Sequence, residues 1–323
     1  MLKRGVEIHT ATNKGGFCRV MNTAVVTHPC RQLGRRTPHT LSPWLALCCI
    51  LLVAHSVAGA ATPRILMVGD SWAWFMWLNR SLQTALQEAQ LGEYEEIGMF
   101  TTVPGTTAEQ WTNPKMLEVI RLEVQRHPTI DIIHLSLTGN DFLRKWNPNM
   151  SAEERHALFT KIVADLETVV RFCLDIRPNL RVAIVGYDYV NKGKNGCSWQ
   201  TLNEAGIELA KMEKDLALRL GDRVRYIQNY GVIQCTFGLG QEVAHASMRL
   251  PGQAPAYDPF PGGDSRYGNP EAAMMDDIHL NIEGYAAIAR NCVNSVYKEW
   301  LTEKSTSLAK QDTPVAKESK AAF

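Results

Sequence analysis

The chain has 323 residues, a formal net charge of +1 and 45% hydrophobic residues. That is enough apolar material for a globular core, and the lack of a basic excess speaks against nucleic acid as a partner. One segment departs from the mean. Pro43 to Ala61 reads PWLALCCILLVAHSVAGAA, follows Arg31, Arg35 and Arg36, and ends in small residues. A charged front, an apolar middle and a small-residue end predict a secretory signal peptide. Residues 1–60 are therefore read as a leader, with Met21 an alternative start. His55 and Ser56 break the run, which leaves it short of the ~20 apolar residues of a membrane span. An uncleaved anchor is the competing reading, and only then would a membrane be a partner. Export implies a periplasmic or secreted protein.

Beyond the leader, strand and helix signals alternate. Arg64 to Gly69 is an apolar run suited to a strand buried on both faces. Trp74 to Ala89 carries Trp74, Trp77, Leu78, Leu82 and Leu86 at helical spacing. Glu96 to Phe100 predicts a second strand, Lys115 to Gln125 a helix and Asp131 to Leu137 a third strand. Ser151, with Glu154 three residues on, has the form of a capping box that opens a helix to about Ile176. Arg181 to Gly186 is a fourth strand, Thr201 to Leu220 a helix, Val224 to Gln228 a fifth strand and Ile282 to Trp300 the closing helix. Tyr187 to Trp199 and the longer, Gly/Pro-rich Phe237 to Met275 read as loops, and a loop of the second length is usually functional. Lys304 to Phe323 has the composition of a disordered tail. This places one domain at 61–303. Strands alternating with helices imply a parallel sheet covered on both faces, and right-handed crossovers make it a doubly wound α/β/α sandwich of five strands.

Of eight cysteines, Cys18, Cys30, Cys48 and Cys49 fall in the leader. Cys173, Cys197, Cys235 and Cys292 remain, an even number that permits disulfides in an exported chain. Cys197 and Cys235 lie in loop-like sequence and are the expected bridge, whereas Cys173 sits in an apolar helix pattern. No Cys-x-x-Cys spacing or His/Cys cluster suggests zinc, and no metal or other cofactor is expected.

Four short segments carry chemistry: Gly69-Asp70-Ser71-Trp72, Gly105-Thr106-Thr107, Gly139-Asn140-Asp141 and Asp276-Asp277-Ile278-His279. In open α/β sheets ligands sit beyond the carboxyl ends of the strands. Ser71 follows the first strand, Gly105 the second and Asn140 the third, and His279 precedes the last helix, so chain order puts all four on one sheet edge. A serine hydroxyl needs a neighbouring base, usually histidine, and that imidazole needs an acceptor to fix its tautomer. Asp276, three residues before His279, can supply the acceptor across a tight turn, with Asp277 its rival. The backbone N–H groups of Ser71 and Gly105 and the amide of Asn140 are candidate oxyanion donors. Glycine at 105 lets the backbone approach a substrate without an intervening Cβ. Asp70 and Asp141 read as residues that hold loops, and His134, within a strand, as structural. Trp72, beside the nucleophile, is either core or pocket wall.

These segments, in this order from about Arg64 to Trp300, resemble those of the SGNH (GDSL) hydrolase family. The resemblance implies a flavodoxin-like sandwich, a Ser71–His279–Asp276 triad, and an oxyanion hole from Ser71, Gly105 and Asn140. It also implies a metal-free hydrolysis of acyl or acetyl esters, with a small molecule or a glycan ester as substrate. Trp72 stands where that family often has Leu, and Thr138 where it usually has Gly. The rival readings are an acyltransferase that uses the same residues and a retired scaffold that only binds polysaccharide.

Overall fold

The computed structural model describes residues 60–191, 193, 196–238 and 262–303. Two compact units divide the chain, residues 1–58 and 59–323; every described residue belongs to the second. The expected leader up to residue 59, the tail from 304 and most of the long Gly/Pro-rich loop lie outside the described residues. Among the described residues, no helix is long and apolar enough to cross a membrane.

Five strands are present: β1 (Thr62–Gly69), β2 (Tyr94–Ile97), β3 (Ile132–Ser136), β4 (Arg181–Val185) and β5 (Val224–Ile227). They pair in parallel in the order β2-β1-β3-β4-β5. This is the flavodoxin-like winding, whose switch point lies between β1 and β3. The central strands are apolar on both faces because both are covered. In β1, Ile65 and Met67 join the core on one side of the sheet, and Leu66 and Val68 the core on the other. All four are fully buried, each worth about 1.5–3 kcal/mol of transfer free energy.

One layer contains α1 (Ser71–Leu78), α2 (Ser81–Glu88), α8 (Val232–Phe237) and α9 (Ile282–Cys292). The other contains α3 (Ala108–Trp111), α4 (Pro114–Arg126), α5 (Gly139–Lys145), α6 (Ala152–Ile176) and α7 (Trp199–Leu220). The anticipated start of α6 is a complete capping box: Ser151 accepts from the Glu154 N–H, and Glu154 accepts from the Ser151 N–H. Such a cap is worth ~1 kcal/mol.

Three elements differ from the periodicity reading. The helix expected over Trp74–Ala89 is two helices, broken at Asn79–Arg80 where Arg80 takes φ +53°. The apolar spacing continues in phase across the break, so the pattern does not reveal it; Leu78, counted on the buried stripe, is half exposed. The second strand ends at Ile97 rather than Phe100, because Gly98 turns the chain and its carbonyl accepts from the N–H groups of Thr101 and Thr102. The closing helix changes to a π segment over Val293–Tyr297 before it continues. That wider turn carries Tyr297 inward, where its hydroxyl lies 2.8 Å from His134 Nδ1. His134 is buried, which pushes its pKa down to about 3, so it is neutral and structural.

Of the expected Cys197–Cys235 pair, Cys197 lies just before α7 and Cys235 within α8. Cys197 packs with the α6–α7 core, whereas α8, which carries Cys235, buries Val232 and Ile233 in the opposite one. Cys173 is a buried thiol, its pKa pushed up to about 12 by burial.

Candidate active site

β1 ends at Gly69 and α1 begins at Ser71, so the intervening Asp70 must turn the chain. It does so as the N-cap of α1, its carboxylate accepting from the Trp72 N–H at 2.9 Å. Gly69 is required here: a Cβ would lie 2.3 Å from the Ser136 carbonyl oxygen on β3. Ser71 is the first residue of the helix, where backbone N–H groups have no intrahelical partner. Its N–H is thus left directed past the helix end.

Ser71 Oγ lies 2.9 Å from His279 Nε2, and His279 Nδ1 lies 2.8 Å from Asp276 Oδ2. The second Asp276 oxygen accepts from the N–H groups of Ile278 and His279, at 2.8 and 2.7 Å. Partial burial works to raise the Asp276 pKa, but the bonds from His279 and Ile278 and the charge of His279 hold it below the usual carboxylate range. Asp277 is not at the imidazole; its carbonyl accepts from the Asn191 N–H. The turn is closed by the Met275 N–H bonding back to the His279 carbonyl and by a bridge between Met274 and Leu280.

Gly105 takes φ +78°, open to glycine at no cost, and its carbonyl is held by Arg144 Nη2 at 2.6 Å. Asn140, in the first turn of α5, donates from Nδ2 to the Thr106 carbonyl at 3.0 Å and to Asp70 Oδ2 at 3.2 Å. Both amide hydrogens therefore have acceptors, and an oxyanion would share the longer one. Ser71, Gly105, Asn140 and His279 all line one cavity of about 490 Å³. Trp72 also lines it, although only 4% of its surface is exposed. Its ring is packed edge-on against Tyr187 and Tyr285, so it is both core and wall.

Tyr187, Glu213 and Asp188 at the site escaped the sequence reading. The Tyr187 hydroxyl donates to Asp70 Oδ2 at 2.7 Å and accepts from the Gly139 N–H at 3.2 Å. It ties the block that bears Ser71 to the block that bears Asn140. Tyr187 lies just past β4, so the strand-end rule that found Asn140 could have found it. Burial raises the Asp70 pKa to about 6, against the opposing hydrogen bonds from Tyr187 and Trp72. Thr138 occupies φ +98°, where glycine is at ease and a β-branched residue is strained by an order of 1–3 kcal/mol. Its hydroxyl donates to Glu213 Oε1 at 2.6 Å, which offsets that strain and explains how threonine is tolerated. Glu213 itself is buried on α7, 142 positions along the chain from Ser71, with no local signal. Asp188 lines the cavity too but is occupied: it accepts from the N–H groups of Tyr189, Gly231 and Ile233. Asp141, anticipated as a loop holder, is fully buried and accepts from the Ala108 N–H at 2.6 Å, at the start of α3.

No family model matches the chain, and no curated protein matches it. Solved structures do. A lipase from a goat rumen metagenome is 12% identical with a TM-score of 0.47, over 73% of this chain and 98% of that one. A catalytic mutant of an acetylxylan esterase from Geobacillus stearothermophilus is 13% identical with a TM-score of 0.45, over 75% and 97%. A carbohydrate acetylesterase from Sinorhizobium meliloti is 13% identical with a TM-score of 0.42, over 76% and 99%. At these identities and TM-scores the likeness lends no activity to this chain. The strand order and the distances around Ser71 stand by themselves.

Proposed function

We propose that the chain is a serine ester hydrolase that acts through an acyl-enzyme on Ser71. The observation that carries this reading is the unbroken relay from Ser71 Oγ through His279 to Asp276, at 2.9 and 2.8 Å. Each part has its task. Asp276, kept ionised, accepts from Nδ1–H and leaves Nε2 as the proton acceptor. As Ser71 Oγ bonds to the acyl carbon, its proton passes to Nε2 and the carbonyl electron pair moves to oxygen. The N–H groups of Ser71 and Gly105 and the Asn140 amide receive that oxyanion. When the carbonyl re-forms, the ester C–O bond breaks and His279 gives its proton to the leaving alcohol. Water then repeats the sequence against the acyl-enzyme and releases the acid. Trp72 and Phe75 shape the wall beside the reacting carbon.

We further propose that the protein works after export, on the strength of the Pro43–Ala61 pattern. Sequencing the amino terminus of the protein recovered outside expressing cells tests this; an intact leader there would refute cleavage. The catalytic reading is tested with Ser71→Ala. Turnover of a short aryl ester should fall by about 10⁶-fold. Turnover within tenfold of the parent would end the proposal.

A further inference from the structure

The cavity at Ser71 extends far beyond the reacting atoms, and one of its walls is a face of α7. Leu202, Gly206, Leu209, Ala210 and Glu213 recur along that face at helical spacing, and all of them line the cavity. Gly206 and Ala210 lie one turn apart and leave room that larger side chains would fill. At Gly206 a Cβ would stand 2.8 Å from the Tyr230 hydroxyl oxygen, so glycine is what admits the tyrosine to this wall. α5 adds Phe142 and Leu143, two and three residues past Asn140. Leu202, Leu209, Phe142 and Leu143 belong to the core on the α6–α7 side of the sheet, and Ala210 packs with Tyr189 and Tyr230. Phe75, whose ring meets that of His279 edge-on, packs on the opposite side.

We propose that this extension is an acyl-chain pocket, and that the acyl group of the substrate is a medium-length hydrocarbon chain rather than acetyl. The inference rests on the hydrolase reading. Its direction follows from the chemistry. The alcohol takes its proton from His279 Nε2 and so departs on the His279 side. The acyl carbon stays on Ser71 with its oxygen beside Asn140, and a chain continuing from it meets Phe142, Leu143 and the face of α7. Size agrees. A methylene takes up about the room of one liquid water, roughly 30 Å³. Of the whole 490 Å³, alcohol side included, an acetyl methyl would take up little, whereas an eight-carbon chain takes up about half. Glu213 does not spoil the lining: burial pushes its pKa up to about 8, against the Thr138 hydrogen bond and with help from Asp141. The carboxyl is neutral at pH 7 and its oxygen is engaged by Thr138.

The test is a series of aryl esters from acetate to octanoate, together with methyl octanoate and octyl acetate. kcat/KM should rise about fourfold per added methylene until the pocket is filled, and methyl octanoate should be preferred to octyl acetate. Ala210→Phe should lower the octanoate-to-acetate ratio by about tenfold or more, while a short alkyl fluorophosphonate still labels Ser71. Best turnover of acetate, or preference for octyl acetate, overturns the pocket assignment and leaves the hydrolase reading intact, provided Ser71→Ala is dead. A chain-length profile unaltered by Ala210→Phe in a labelled, folded protein overturns it as well. No turnover of any ester would remove the hydrolase reading and this inference with it.

Discussion

The two halves of the site are built by different means. The Ser71 half is held from a distance: Gly69 bonds to Thr101 and Val103, the Asp70 N–H to Ser136, and the Asp70 side chain to Tyr187 and Asn140. Its partners come from four separate stretches of chain. The His279 half is a local turn in which Asp276 receives three of its bonds from residues two and three positions away. The Asp276 side chain is 52% exposed, and one described long-range backbone bond reaches this turn, from Asn191 to Asp277. Long-range ties fix Ser71 and Asn140 in place, while a short loop presents His279 with mostly local support. A fold can thus hold part of a site by topology and leave the rest to turn chemistry.

The sharpest break of this comparison falls on the exposed half. Asp276→Asn keeps the side chain's shape but offers the imidazole an amide, which can hold the wrong tautomer. kcat on an aryl ester should drop by about 10⁴-fold with little change in melting temperature. A loss below tenfold would mean that an exposed carboxylate at this turn does not matter. In the Ser71 half, Asn140→Ala removes the proposed oxyanion donor and its ties to Thr106 and Asp70. kcat should fall by about 10²–10³-fold, with KM moving much less; a loss confined to KM would assign Asn140 to substrate binding instead.

The smallest effect is on stability, read against pH. Glu213 keeps its proton in the folded protein up to about pH 8, whereas in the unfolded chain it ionises in the ordinary carboxyl range. Across that window the unfolded state binds fewer protons, so this group lowers stability as pH rises, by up to about 1.4 kcal/mol per pH unit. Glu213→Gln retains an acceptor for Thr138 and removes that slope. Its melting temperature relative to the parent should improve steadily from pH 5 to pH 8. Parallel curves would show that Glu213 is ionised in the folded state, and would place a charge in the proposed acyl pocket. Asp70 and Asp188, raised to about 6 and about 7 by burial, are common to both proteins and cancel in the comparison.

Much of the architecture was legible because its signals are local. Apolar runs gave away all five strands, and Ser151 with Glu154 marked the start of α6 to the residue. Asp276 and His279 share a turn, so their spacing alone selected Asp276 over Asp277. The strand-end positions of Ser71, Gly105 and Asn140 put them on one edge once the sheet was known to be parallel. Where the reading failed, the apolar pattern carried no signal of the change: β2 ends in a turn at Gly98. The break at Arg80 leaves the apolar spacing undisturbed.

The sequence by itself determined the five strands, the alternation that makes the sheet parallel, and the chain positions of Ser71, Asn140 and His279, since periodicity and turn chemistry act over a few residues. Only the tertiary structure decided that Tyr187 clamps Asp70, that Glu213 supports a strained Thr138, and that a face of α7 walls the cavity beside Asn140. Burial and long-range hydrogen bonds depend on which surfaces meet, and that is a property of the packed layers rather than of any single segment.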